Sequence, residues 1–358
     1  MLVDVSYIAN RGHHLQDTGL WNNETTPAEF QSLAQSGNAL NWVCSAANAA
    51  AYKVPYPYPG FCAPALAAVA PYPQLASGEA NYWYYPNMFN VGLPIGQSYY
   101  DSMVLRFVKR FGAGLTMDLN YTLSRQEGDV YSAFGDSYDT ASVQDFTKLG
   151  QEAQTLSGYD QKHVFKGGVT YELPFGHGRP LLSAARGVTN GLISGWRVSG
   201  LVTYASGLPL SFYSSNYYYY PLWAATYVNY NLSGYNGSQF NSGNFQNVSN
   251  SINPPAADRY FPATVASNPA YGDFGSGPPR VDALRGFGIT SENVSLLKNT
   301  SFGHEGRYKL QFRVEFYNLF NRHTFANPIT DLTSPEFGFV PGVSSTPRNG
   351  QFGVRFEF

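Results

Sequence analysis

The sequence predicts an all-β chain, an antiparallel transmembrane β-barrel segment of about eight strands with long extracellular loops. Three observations carry that expectation. Several segments alternate strictly between apolar and polar residues, the period of two expected of a strand whose faces meet different media. The polar faces of those segments carry charges of both signs while the opposite faces are aromatic and aliphatic, as in a barrel strand with a wet interior and a lipid exterior. Finally, only 13% of the 358 residues are charged, with 36 Gly, 28 Tyr and 25 Phe, whereas soluble domains average about 25% charged.

Composition also excludes alternatives. The mean hydropathy is -0.26, and no apolar run approaches the roughly 18 residues of a spanning helix, so a helical membrane bundle is excluded. The longest such run, Ala63 to Ala70, is short and set among prolines. A net charge of -2 and a pI near 6.3 leave no basic patch for nucleic acid.

The first strand is expected over Leu2 to Asn10, with Val3, Val5 and Tyr7 opposite Asp4 and Ser6. The second, Ser98 to Arg110, sets Met103, Leu105 and Phe107 against Ser102, Arg106 and Arg110. Phe111 to Gly114 reads as a tight turn rich in the residue that tolerates positive φ. Leu115 to Arg125 follows, with Leu115, Met117, Leu119, Tyr121 and Leu123 on one face. The fourth and fifth strands are His163 to Leu173 and Gly195 to Ser206, carrying Phe165, Val169 and Tyr171, then Trp196, Val198 and Val202. The sixth, Ser291 to Phe302, is less regular. In the seventh, Arg307 to Phe320, Leu310, Phe312, Val314 and Phe316 oppose Lys309, Gln311, Arg313 and Glu315. The last, from Asn349, alternates Phe352, Val354, Phe356 and Phe358 with Gln351, Gly353, Arg355 and Glu357.

Connection lengths orient these strands. Outer-membrane barrels keep short turns on the periplasmic side and long loops outside. With the turns near Gly112 and Gly303 in the periplasm, the four long connections all fall outside without conflict. The amino terminus, Met1 to Asn10, lacks the basic, apolar and cleavage regions of a secretory signal and reads as a strand already under way. The chain is therefore expected to be the carboxyl-terminal part, 1–358, of a longer barrel protein.

Tyr308 to Pro328 (YKLQFRVEFYNLFNRHTFANP) followed by Pro347 to Phe358 (PRNGQFGVRFEF) resembles the carboxyl-terminal end of TonB-dependent receptors. The similarity is closest to the Oar-like group, which carries a carboxypeptidase-regulatory-like domain. Earlier stretches agree: VSYIANRGHHL from Val5, the segment from Gln97 to Arg125, DQKHVFKGGVTYELPFGHGR from Asp160 and SGWRVSGLVTYASGLPL from Ser194. The resemblance implies a 22-strand barrel, plugged by an amino-terminal domain, that imports substrates with energy passed through TonB. The plug, the signal peptide and the TonB-contacting segment have no counterpart among these residues. Coupling to TonB would run only through that amino-terminal part. The partners expected are outer-membrane lipid, the rest of the barrel and its plug. Phe352, Val354, Phe356 and Phe358 are assigned as the terminal signal for the barrel-assembly machinery.

Candidate sites follow from side-chain chemistry. Arg313, Glu315, Arg355 and Glu357 face the lumen, either to hold a plug by charge-assisted hydrogen bonds or to pair among themselves in a wet interior. Tyr217, Tyr218, Tyr219, Tyr220, Trp223, Tyr227 and Tyr230 form an aromatic cluster in the longest outer loop. It reads either as a rigid ligand-binding surface or as a mobile, hydrated stretch. Cys44 and Cys62, the only cysteines, are expected to form a disulfide in an oxidising envelope. His13 and His14, adjacent on a strand, would point to opposite faces and suit a metal poorly. No nucleophile elbow, zinc helix or phosphate loop is present, so neither an enzyme, a cofactor nor a metal is expected. The function expected is part of a receptor's channel wall with substrate-recognising outer loops; the alternative is a self-standing small outer-membrane barrel presenting adhesive loops.

Overall fold

The computed structural model describes residues 1–17, 27–69, 73, 93–110, 114–128, 155–212, 214, 227–240, 242, 259–270 and 272–358. Eight long strands form one antiparallel sheet, each beside the next in chain order. They are β1 (Leu2–Asp17), β2 (Leu93–Arg110), β3 (Leu115–Gly128), β4 (His163–Glu172), β5 (Trp196–Ala205), β6 (Ile289–Phe302), β7 (Tyr308–Tyr317) and β8 (Asn349–Glu357). A two-residue strand, Thr155–Leu156, lies beside Glu127 and Gly128 at the end of β3. Among the described residues β1 pairs only with β2 and β8 only with β7, so the sheet is open.

Several boundaries differ from the sequence expectation, β2 beginning at Leu93 and β3 running to Gly128, and two have identifiable reasons. β1 continues past Asn10 because β2 supplies ladder partners along its whole length, from Leu2 opposite Val108 to Asp17 opposite Leu93. The register shifts between Gly12 and Leu15, where His14 takes a φ of 56°, and the ladder then resumes. β7 stops at Tyr317 because Asn318 and Asn321 have φ values of 52° and 50°, a region asparagine enters more readily than other side chains. Asn318 Oδ1 accepts from the Arg322 N–H at 2.7 Å, and Asn318 Nδ2 donates to the carbonyls of Arg322 and Thr346 at 2.8 and 3.1 Å. The Asn-Leu-Phe-Asn element is thus a hydrogen-bonded corner at the end of a strand. The Phe111 to Gly114 turn lies outside the described residues except for Gly114, whose φ is 86°.

Register gathers the apolar side chains into rows on one face. Val3, Phe107 and Leu119 share a row, Val5, Leu105 and Tyr121 the next, and Tyr7, Met103 and Leu123 a third. Across the sheet, Leu296 lies between Val198 and Val314, and Val314 faces Phe352. Rings cluster near both ends of this face. Phe302, Tyr308, Phe356 and Phe358 stack successively at the short-turn end. Phe165 and Tyr204 stack toward the other end. Two aromatic bands flanking an aliphatic zone match the outer surface of a membrane barrel.

Glu292 and Lys298 explain why the sixth strand reads as irregular. Both sit in the apolar rows, opposite Val202 and Trp196 respectively, and both are buried. Tyr204 and Arg322 donate to Glu292 Oε1 at 2.9 and 2.7 Å. Lys298 Nζ donates to backbone carbonyls of the β4–β5 connector. Both buried charges are met by hydrogen bonds, Glu292 from Tyr204 and Arg322 and Lys298 to backbone carbonyls, as burial of a charge requires.

Burial in this protein is inverted. None of the buried hydrophobic residues described lies in the eight long strands, while Val5 and Phe352 on the apolar face are each 66% exposed. The buried residues form two cores in the connections at the long-loop end. One contains Phe30, Leu33, Val43, Phe61 and Leu66, with Phe274 packed against it from the β5–β6 connection. The other joins Leu210, Phe212, Tyr260, Phe261 and Leu284 of that connection to Phe337 and Val340 of the β7–β8 connection.

These cores correct the expectation of an all-β chain with plain loops. The β1–β2 connection folds as helices α1 (Pro27–Gln35), α2 (Ala46–Tyr52) and α3 (Ala65–Ala68) around a two-strand pairing of Trp42–Val43 with Ala63–Pro64. Alanine-rich runs favour these helices, and Ser45 caps α2 by accepting from the Asn48 N–H at 3.2 Å. A fourth helix, α4 (Gly187–Ile193), lies in the β4–β5 connector. Among the described residues no helix is long and apolar enough to cross a membrane.

Candidate functional site

The long connections build a cap over one end of the sheet, and Arg285 sits at its base. Its Nη2 donates to Asp160 Oδ2 at 2.5 Å and to Asp282 Oδ1 at 2.6 Å, while Nη1 donates to the carbonyls of Asp160 and Gly207 at 2.8 and 3.2 Å. Asp160, fully buried, also accepts from the Gln126 N–H at 2.6 Å. Lys162 Nζ closes the set by donating to Asp282 Oδ2 at 2.7 Å. The network fastens the β5–β6 connection to the ends of β3 and β4. Burial pushes the Asp282 carboxyl up, but the hydrogen bonds from Lys162 and Arg285 outweigh it, so the group lies below the usual aspartate value. Nothing in a linear reading marks Arg285; its partner Asp160 opens one of the segments that carry the family resemblance.

Above this base the cap is a web of rings. Tyr260 and Phe287 have centroids 4.8 Å apart, Phe240 and Phe325 4.9 Å, and Phe261 and Phe337 5.1 Å. Such contacts each add about 0.5–1.5 kcal/mol beyond area burial. The Tyr260 hydroxyl donates to the Arg285 carbonyl at 2.6 Å, and burial raises its pKa to about 12. The first core also touches the β5–β6 connection. Phe30 stacks on Phe274 at 6.0 Å, and Gln35 Nε2 donates to Asp273 Oδ1 at 2.9 Å.

The seven aromatic residues singled out from the sequence divide in two. Tyr217, Tyr218, Tyr219, Tyr220 and Trp223 lie outside the described residues. Tyr227 and Tyr230 both pack into the cap, the first buried and the second partly buried. Tyr227 is buried, and the Tyr230 hydroxyl donates to the carbonyls of Pro278 and Pro279 at 2.9 and 3.1 Å while its ring meets Phe212 edge-on. For these two, packing replaces the picture of a hydrated loop. Cys44 and Cys62 are joined in the first core, closing a separation of 18 residues.

The polar face of the sheet carries a ladder of ion pairs. Arg106 meets Asp118 and Arg197 meets Glu172, each at 2.7 Å, while Arg11 and Asp101 pair at the same distance on the opposite face, beside Tyr7. On β7 and β8 the pairs run along one strand: Arg313 with Glu315, and Arg355 with Glu357 at 2.9 Å. Gln351 also donates to Glu315. The guanidinium-bearing side chains of Arg313 and Arg355 remain 55% and 71% exposed. Cation and carboxylate alternate along this surface, so these pairs give the wall little net field. Among the described residues no group of three His, Cys, Asp or Glu side chains could hold a metal.

A sheet with a bare apolar face, a paired polar face and its hydrophobic cores confined to the loops is a wall of a membrane-spanning β-barrel. Residues 1–351 match the outer membrane beta barrel domain, and the chain belongs to that family. The protein accordingly resides in the bacterial outer membrane. No curated protein matches the chain.

Proposed function

We propose that the chain supplies part of the channel wall and the extracellular substrate-recognition loops of a TonB-dependent outer-membrane receptor of the Oar-like kind. The observation that carries this reading is the open sheet. β1 and β8 each leave one side of their backbone without a ladder partner among the described residues, and in lipid every backbone donor and acceptor must be satisfied. Further strands meet that need. The remainder of a larger barrel, enclosing a plug through which TonB acts, is the partner this reading names.

The cap supports the recognition role. Two packed cores and a buried ion network hold loop backbone rigid, and rigid loops bind at lower entropic cost than mobile ones. Arg313 and Arg355 keep exposed guanidinium surface beyond their carboxylate partners, available to a plug. Arg355→Glu in the intact receptor is expected to weaken plug retention; unchanged retention removes that role.

The experiment that decides between a larger barrel and a self-closed one pairs cysteines across the two edges. One is placed at Val3, Val5 or Tyr7 and the other at Phe352, Val354 or Phe356, in outer membranes treated with a short bifunctional maleimide. The receptor reading expects no intramolecular cross-link for any pair. A cross-link between the edges would show that eight strands close on themselves, favouring a self-standing barrel that presents adhesive loops.

A further inference from the structure

The β4–β5 connector is more than a turn. Residues 174–194 fold into a compact lobe held by its own backbone: Leu181 N–H donates to the Pro174 carbonyl and Gly176 N–H to the Leu181 carbonyl, both at 3.0 Å, and His177 N–H donates to Asn190 Oδ1 at 2.7 Å. The lobe then leans onto the apolar face of the sheet. Lys298 Nζ, which projects from that face, donates to the Gly191 carbonyl at 2.7 Å and to the Ser194 carbonyl. Trp196 Nε1, from the same row, donates to the Leu192 carbonyl at 3.0 Å.

Outward the lobe shows aliphatic side chains alongside the exposed His177, Arg179 and Arg186. Val188 and Leu192, four residues apart and so on one side of α4, are 81% and 67% exposed. Leu181 and Leu182 of the same lobe are exposed too. Leu182 holds a φ of 60°, a left-handed conformation that costs a leucine roughly 1–2 kcal/mol, and its side chain stands outside the lobe. The row under the lobe continues through Trp196, Lys298, Phe312 and Val354, the surface that faces lipid in this family. Arg186, at the start of α4, is exposed next to these aliphatic groups.

We propose that this lobe is a membrane-interface anchor: Val188 and Leu192, with Leu181 and Leu182, enter the headgroup–acyl boundary of a glycerophospholipid leaflet at the short-turn end of the barrel. The inference rests on the membrane placement of the sheet and on the short turns marking the periplasmic side. A short helix lying in the plane of the interface, with apolar side chains down and cations at its edge, is a known way for a chain to hold a membrane surface. Here it also covers Lys298 on the lipid face, whose ammonium would otherwise meet hydrocarbon.

The test uses single-nitroxide variants of the full chain in phosphatidylethanolamine–phosphatidylglycerol vesicles, the native cysteines remaining bonded. Labels at V188C and L192C are compared with one at F312C on the sheet and one at N236C in the cap. Positions 188 and 192 are expected to be more accessible to oxygen than to a water-soluble nickel chelate, as position 312 is. If 312 reports lipid while 188 and 192 match the aqueous behaviour of 236, the anchor is overturned and the barrel placement stands. If 312 itself reports water, both fall.

Discussion

Arg285 and Asp160, separated by 125 positions in the chain, meet through a guanidinium–carboxylate contact of 2.5 Å that is almost entirely withdrawn from solvent. Removing one member of a buried pair leaves the other uncompensated, at a cost of about 3–5 kcal/mol. Arg285→Ala is expected to loosen the cap without dissolving the sheet. Hydrogen exchange at Leu210, Leu284 and Gly286 should accelerate while β7 and β8 stay protected. Equal loss of protection in the strands would show that the cap and the sheet are one cooperative unit.

Acid should act on the same network through Asp282. Its folded pKa lies below the unfolded value of about 3.9, so its contribution is complete above that value and is lost as pH falls through the folded pKa. The near-ultraviolet signal of the cap tyrosines is expected to hold from neutral pH to about pH 4 and to decline below it. Asp282→Asn should shrink that acid transition, and an unaltered transition would place its origin elsewhere.

The Cys44–Cys62 bond closes a short loop around the first core. Closing a loop of this size is worth roughly 3 kcal/mol in the chain-entropy account. Protein taken from the envelope should resist alkylation until reductant is added. Labelling of two thiols before reduction would exclude the bond. Reduction should open the region of α1 to α3 first, because both cysteines lie in that connection.

Phe312 and its neighbour Gln311 point to opposite faces, the first among aliphatic rows and the second bonded to Asn299 Oδ1 at 2.9 Å. A charge on a lipid-facing strand costs about 2–4 kcal/mol near the midplane. Phe312→Arg is expected to lose stability in vesicles on that scale, while Gln311→Arg, directed into water, changes it little. Comparable losses at the two positions would mean that hydrocarbon does not meet the Phe312 face.

Asn318 and Asn321 turn the chain at the end of β7 through left-handed backbone. Asn318→Ala removes both a tolerated φ and three hydrogen bonds, and should destabilise the corner by about 1–2 kcal/mol. Asn321→Gly keeps the backbone freedom and loses only the bond accepted from the Arg348 N–H, so its effect is expected to be smaller. Thermal melts of the two variants give the comparison.

Alternation is a local property, written within ten residues of one strand. That is why the strands near 98–110, 115–125, 163–173 and 349–358 could be placed with their apolar sides assigned before any pairing was known. The extension of β1 to Asp17 was not visible, since its tail is held by partners in β2 rather than by its own pattern. Phe212, Phe261 and Phe337 have no period linking them and meet only when two connections fold over one end of the sheet. The burial of Tyr227, the reach of Arg285 to Asp160 and the cover that α4 gives Lys298 are likewise facts of distance in space. Sequence by itself determined which side of each strand seeks hydrocarbon, because side chains point alternately to either side of a strand. Tertiary structure alone decided where the cores lie, because burial in the cap depends on contacts between segments tens of residues apart.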